Sequence, residues 1–418
     1  MRLVPAPDTL RHDAHVIGLV GSAHFVSHFF QLVLPPLFPV LRAELGVSYV
    51  ALGAMMTVFF AASGIAQTVA GFLVDRFGAP RVLVSGIALL AAAMLLAGLA
   101  PSFSVLVVAA GIAGLGNSVF HPADYAIFNA ALQPSRLGRA YSVHGVCGSL
   151  GWATAPAVVI TLTTLFGWRR ALVTIGGLGV VAALALATQR GALSSERRPD
   201  PRVAAGHRVE PVGETDLGSQ IRLLFVRPIM IAFAYFALLA TSLIGLQTFS
   251  VTALVKIYEA PVTLATGALT MFLLGSSGGV LAGGFLADRT RRHDVVASGG
   301  LLAAATLALV IGSGVLGLGL LAPMMAVTGF CLGVTSPSRD MLVRAAAPPG
   351  ASGRVYGFVY SGLDLGSCLT PLFFGWILDQ NEPRLVFVLS ACLMVATIFT
   401  VVQVRRSAAP IAARMSAG

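Results

Sequence analysis

Gly71-Phe-Leu-Val-Asp75-Arg76 returns as Gly284-Phe-Leu-Ala-Asp288-Arg289, 213 residues further along a chain of 418. Two more landmarks repeat at nearly the same offset. Gly138-Arg139-Ala-Tyr141, followed by Pro156, matches Gly353-Arg354-Val-Tyr356, followed by Pro371, at 215 residues, and Asp124 matches Asp340 at 216. Three landmarks at almost one offset mean that the second half of the chain repeats the first. Each copy of the six-residue motif closes a long apolar run with an acid and an arginine, so those runs decide what is being repeated.

A helix needs about 20 apolar residues to cross a bilayer. No Asp, Glu, Lys or Arg occurs in 14–41, 49–74, 82–123, 140–167 or 171–189. The pattern resumes at 228–255, 260–287, 295–338, 355–378 (broken by Asp364) and 385–404. The runs 82–123 and 295–338 are each about two spans long, with turn signals at Pro101-Ser102 and Gly312-Ser313-Gly314. The reading is an all-α membrane protein of twelve transmembrane helices. The repeat offset covers six helices, an even number, so the two six-helix bundles share one orientation in a parallel repeat. The runs lack the alternation of a membrane barrel.

Composition agrees. Only 11% of residues are charged, 27 basic and 17 acidic, against about 25% in a soluble domain. Hydrophobic residues make up 56% and the mean hydropathy is +0.87, too apolar for a soluble surface or a disordered chain. The net charge of +10 does not signal nucleic acid, because the arginines are scattered between apolar runs and Lys256 is the single lysine. With the N-terminus placed in the cytoplasm, the inner loops hold 22 of the 27 basic residues. This bias puts both termini inside a cell (inner) membrane. The organisation expected is a bundle over 1–189, a basic cytoplasmic linker over 190–224 and a bundle over 225–418. A short amphipathic helix around 217–225 is possible within or beside that linker. Residues 1–13 lack the pattern of a signal peptide. Cys147, Cys331, Cys368 and Cys392 lie in apolar runs and read as small core residues.

The motif between helices 2 and 3, its degenerate copy between helices 8 and 9 and the central loop resemble the major facilitator superfamily. That resemblance implies two bundles rocking around a site at mid-membrane. The first copy departs from the family pattern at Ala79-Pro80, leaving Arg81 as its later cation; in the second, Arg291 replaces a glycine. Gly114-Leu-Gly116-Asn-Ser-Val-Phe120-His121-Pro122, with Ser27-His28-Phe-Phe-Gln31 and Pro35-Pro36, is similar to the fosmidomycin-resistance branch. That likeness implies export of small organic toxins in exchange for protons. Gly71, Asp75, Arg76, Arg81, Arg139, Asp288, Arg289 and Arg354 are expected to form a cytoplasmic latch, a contact made in one conformation and not the other. The alternative is plain topology, arginines in an inner loop.

Polar groups at bilayer depth are costly, so each is a candidate for function. His24, His28 and Gln31 stand at i, i+4 and i+7 on helix 1. With that helix begun near His15, the two histidines lie about 13 and 20 Å in, at about 1.5 Å per residue. His121 and Asp124 are i, i+3 on helix 4, and Asp364 falls near the middle of helix 11. The resemblance places helices 1 and 4 against a central cavity. Histidine changes charge between about pH 5 and 8, which suits a proton-coupled site; the bland alternative is packed rings bonded to backbone carbonyls. Asp124 with Arg139, and Asp340 with Arg354, are expected to pair and close the inner side of each half, with proton carriage as the alternative. His144 could belong to either network. Arg339 suits an anionic substrate, or pairs with Asp340 or Asp364. Gly145-x-x-Gly148-x-x-Gly151 followed by Pro156 predicts close helix packing on helix 5 and is similar to the antiporter motif of drug exporters without its Gly-Pro pair.

The function expected is a proton-coupled secondary transporter, exporting a small organic and in part anionic compound by alternating access. A symporter importing an organic acid could use the same histidines. A facilitator-fold sensor or assembly partner is a third reading. No nucleotide loop, metal cluster or nucleophile constellation is visible, so neither an enzyme nor an ATP-driven pump is expected. The partners are the substrate, protons and the lipid bilayer, with no nucleic acid, no metal and no cofactor beyond the proton gradient; a monomer is expected.

Overall fold

The computed structural model describes residues 7–133, 136–194, 225–290, 292–346 and 352–415. Twelve helical segments among these residues are long and apolar enough to span a membrane, from Leu10–Leu45 to Arg384–Val401. The protein is a multi-pass membrane protein of nearly all-helical build. Its helices are α1 (Pro7–Gln31), α2 (Phe38–Leu45), α3 (Tyr49–Phe77), α4 (Ala79–Gly98), α5 (Phe103–Asn117), α6 (Phe120–Ala131), α7 (Leu137–Phe166), α8 (Trp168–Thr188) and the short α9 (Arg190–Leu193). They continue as α10 (Arg227–Tyr258), α11 (Val262–Arg289), α12 (His293–Gly312), α13 (Leu318–Ala346), α14 (Ser352–Asp379) and α15 (Arg384–Met415).

Two of the spans are interrupted, and proline explains both. Between α1 and α2 the chain passes through a 3-10 turn, Pro35–Leu37. Neither Pro35 nor Pro36 has an N–H, so the carbonyls one turn earlier lose their helical partners. The interruption is packed away: Leu32, Val33, Leu34 and Leu37 are all buried. In the fourth span α5 stops at Asn117 and α6 begins at Phe120, and Pro122 withholds the N–H that the Ser118 carbonyl would accept. Irregular backbone at membrane depth survives only where protein or a water-lined cavity surrounds it. Where helices turn back on each other without a loop, glycine supplies the backbone: Gly78 joins α3 to α4 at φ 83° and Gly167 joins α7 to α8 at φ 82°.

The chain divides into two compact units, one of residues 1–47 and 54–207, the other of residues 48–53 and 208–418. In the first, α1 packs on α7, α4 on α8 and α4 on α5. In the second, the equivalent helices make the equivalent pairs: α10 on α14, α12 on α15 and α12 on α13. The sequence repeat is thus a repeat of packing. Helix 1 begins at Pro7, about two turns earlier than the apolar run suggests. The linker from residue 195 to 224, and with it all but the last residue of the expected helix around 217–225, lies outside the described residues.

Glycine is what lets α1 and α7 meet. A Cβ at Gly151 would collide with the Phe25 carbonyl oxygen, and one at Gly148 would stand 2.8 Å from His24 Nε2 and 3.0 Å from His28 Cε1. Gly145, the first member of the expected trio, has open space around it. At the other end of the pair, buried Asp13 of α1 accepts a 2.6 Å hydrogen bond from Arg136, just before α7. Within the second unit, the Asp379 carboxylate accepts from the backbone N–H groups of Tyr49 and Val50, both at 2.8 Å. That arrangement satisfies two of the unpaired donors at a helix start.

Candidate functional site

The first unit brings four histidines and one carboxylate together from three helices. His24 and His28 come from α1, His121 and Asp124 from α6 and His144 from α7. His24 and His28 fall at the middle of the 36-residue span Leu10–Leu45, and His121 and Asp124 follow directly on the α5–α6 interruption. The glycine contacts of α1 with α7 bring His24 over His144: their rings stack with centroids 3.5 Å apart and planes at 18°. His28 lies 4.2 Å from His24 on the same helical face, and His121 lies 5.4 Å from His24 and 6.1 Å from His144.

Asp124 sits at the inner end of this stack with no solvent exposure. Its Oδ2 is 2.8 Å from His144 Nε2 and 3.5 Å from His24 Nδ1. With the carboxylate ionised, His144 carries its proton on Nε2 and donates it, an assignment that follows from the network. His24 Nδ1 does not reach hydrogen-bond geometry, and neither His28 Nδ1 nor Asp124 Oδ1 has a partner among the described residues. His24 and His144 are buried, His28 is half-buried and His121 is exposed, so the cluster runs from an accessible ring to a sealed carboxylate. Ring nitrogens of His24, His121 and His144 approach within 4.8 Å of one another, which makes these three the residues able to share a metal ion.

Four side chains that the sequence assigned no role support the cluster. Trp152 Nε1 donates to Gln31 Oε1 at 2.6 Å, and the Trp152 ring stands 4.2 Å from His28. Gln31 therefore belongs to the site as an acceptor already in use. Ser27 donates to Asn117 at 3.0 Å, and Asn117 donates to Ser63 at 2.9 Å, tying α1, α5 and α3 together beside the interruption. Their signal in the sequence was faint: Ser27 and Asn117 fall within the stretches that carry the branch resemblance, and Trp152 is one of three tryptophans in the chain.

The remaining candidates separate from the cluster. The expected pair of Asp124 with Arg139 does not form. Arg139 is exposed, and it lies five residues before His144, about 140° around α7 at about 100° per residue. The Asp340 and Arg354 side chains, and that of Asp288, lie outside the described residues. Asp75, Arg76, Arg81 and Arg289 are exposed, and no ion pair joins them to another described residue; the Arg76 guanidinium sits 5.4 Å over the Phe77 ring. Gly71 has nothing within reach of a Cβ. In the second unit Arg339 stacks 4.8 Å over Phe236. Asp364 is exposed, with no hydrogen bond or ion pair to another described residue. A cavity of about 530 Å³ between α3, α4 and α5 is lined by Val69, Leu73, Phe77 and Arg81 among others. Its wall is mostly apolar and shares no residue with the histidine cluster.

Comparison with known proteins agrees with this architecture. The chain is 23% identical over 391 residues to the fosmidomycin resistance protein of Escherichia coli K12, covering 92% of each chain. It is 28% identical over 341 residues to the multidrug resistance protein MdtH of Aeromonas hydrophila, covering 79% of this chain and 80% of that one. Its fold matches a bacterial homolog of the human lysosomal transporter Spinster at a TM-score of 0.72 and 15% identity, over 96% of both chains. The model of the Major Facilitator Superfamily matches residues 20–267 and 242–415. The chain belongs to that superfamily and is a membrane transporter.

Proposed function

We propose that this protein is a proton-coupled exporter of a small organic compound with an anionic group, working by alternating access as a monomer in the inner membrane. Both termini are cytoplasmic in this reading, and the proton gradient is the energy source. The observation that supports it most is the cluster of four imidazoles around one carboxylate at mid-span, beside an interrupted helix. Imidazole N–H groups are good partners for an oxygen anion, and exposed His121 and half-buried His28 are the rings a solute reaches first. Export is supported by the two relatives named for resistance.

The proton is assigned to Asp364. An ionised carboxylate inside a membrane is costly unless a cation or a proton balances it. Asp124 is committed to holding His144, whereas Asp364 is exposed and has no partner among the described residues, so it is free to load and unload. The proposal leaves Arg339 out, because its guanidinium is engaged on Phe236. It keeps the latch at Asp75, Arg76 and Arg81 as a contact of the other transport state, with Asp288 and Arg289 as its second-half copy.

Expression in a sensitive host tests this. Wild-type protein raises the tolerated concentration of fosmidomycin or of a related small phosphonate or carboxylate several-fold, whereas Asp364→Asn and His121→Ala, present in the membrane at equal amounts, do not. Tolerance equal to that of an empty vector across the whole panel, with wild-type protein present in the membrane, counts against export of this class.

A further inference from the structure

The histidine cluster contains more unsatisfied polar atoms than a packed interior tolerates. His24 Nδ1, His28 Nδ1 and Asp124 Oδ1 are buried without a hydrogen-bond partner among the described residues. Buried polar groups are ordinarily satisfied, and a local group of exceptions points to an ion or ligand. Protons alone answer this badly. His24 and His144 rings 3.5 Å apart, with His28 and His121 at 4.2 and 5.4 Å from His24, repel one another if several are charged. One cation shared between lone pairs satisfies several rings at once.

We infer that His24, His121 and His144 form a binding site for a divalent first-row transition metal of the zinc class. Each ring contributes one nitrogen, and these nitrogens lie within 4.8 Å of one another. Tetrahedral Zn–N bonds of about 2.0–2.1 Å call for nitrogens about 3.4 Å apart. Closing that difference takes a rotation of His121, whose ring is exposed, and a turn of the His24 ring out of its stack on His144, because in-plane lone pairs of stacked rings do not meet at one ion. Three neutral imidazoles suit zinc, cobalt, nickel or copper and not magnesium or calcium, which prefer oxygen. Asp124 is the positioning residue. It accepts the Nε2 proton of His144 at 2.8 Å, and this carboxylate–histidine contact fixes the tautomer that presents the other ring nitrogen to a metal. Three protein ligands leave the fourth position to water or to an oxygen anion, the arrangement of an open site. The exposed side of His121 is the way in. No spacing rule could find this site, because its ligands come from three helices, 97 and 23 residues apart in the chain. The inference does not depend on the direction or coupling of transport.

Cobalt titration of the full-length protein in detergent, purified on a tag without histidine, reads the site directly. One Co²⁺ per chain develops the visible d–d absorption of a tetrahedral nitrogen site, Zn²⁺ displaces it and Mg²⁺ does not. Asp124→Asn weakens binding by about 10–100-fold, the usual cost of losing the group that orients a ligand. His121→Ala, an exposed ring whose removal leaves the packing of α1 on α7 in place, abolishes the tetrahedral spectrum, and His144→Gln does the same. The absence of a stoichiometric tetrahedral spectrum in folded wild-type protein overturns the inference. So does a spectrum that His121→Ala leaves unchanged, which would place the metal on His12, His15 or His293 instead. Either failure leaves the transport assay unaffected and so is separable from it.

Discussion

Asp124 holds the rings of the site from inside the protein. One of its oxygens accepts from His144 and the other has no partner among the described residues, on a side chain with no exposure. Asp124→Ala strands a buried imidazole N–H and is expected to lower stability by about 1–3 kcal/mol, whereas Asp124→Asn keeps an acceptor and loses clearly less. Unfolding midpoints in detergent compare the two, and equal losses would mean the bond contributes little. His24, His28, His121 and Asp124 could be picked out of the sequence because ionisable groups at membrane depth are rare and because i, i+4 spacing puts two rings on one face. The partner of Asp124 could not be found that way. Periodicity fixes faces within one helix, while a partner on another helix depends on how closely the two approach. Arg139 was the cation that the repeat offered, but it points away from the cluster side of α7.

The approach of α1 to α7 is the element-scale fact on which the site rests, and it separates the three glycines of α7. Gly151→Ala drives a methyl into the Phe25 carbonyl and is expected to cost about 1–3 kcal/mol. Gly145→Ala, with open space around it in mid-helix, is expected to gain about 0.4–1 kcal/mol. Thermal unfolding of the two variants measures the contrast, and a loss at Gly145 would refute the packing. The other end of the same helix pair is held by Asp13 and Arg136, both buried. Arg136→Met alone is expected to cost about 3–5 kcal/mol by leaving Asp13 uncompensated, and adding Asp13→Leu to restore most of it. Unfolding midpoints of the single and double variants check this. The glycine spacing announced a close contact without saying which glycines make it. The Asp13–Arg136 pair was hidden because Asp13 lies in a stretch that reads as an exposed terminus; helix formation from Pro7 carries it into the packed interface. The interruptions at Pro35-Pro36 and Pro122 passed as continuous apolar runs, since hydropathy records burial and not backbone hydrogen bonds.

At the scale of the whole molecule, the repeat was the most legible feature. Its landmarks sit at helix ends and kinks, which evolve under the geometry of the fold, and the matching pairs α1–α7 and α10–α14 show what they preserve. Charge carried topology and little else: most of the 44 charged residues lie toward helix ends, in loops or in the linker. The acid at mid-helix in only one half, Asp364, breaks the repeat, and the coupling assigned to it is the central claim. The direct measurement is lumenal pH in proteoliposomes holding a trapped pH dye. A phosphonate or carboxylate from the susceptibility panel is added outside, with wild-type or Asp364→Asn protein in the membrane. The account predicts that the compound entering wild-type vesicles drives protons out and raises lumenal pH, and that Asp364→Asn carries the compound without moving the pH. A fall in lumenal pH would make the protein a symporter, and a pH response retained in Asp364→Asn would contradict the assignment of the proton.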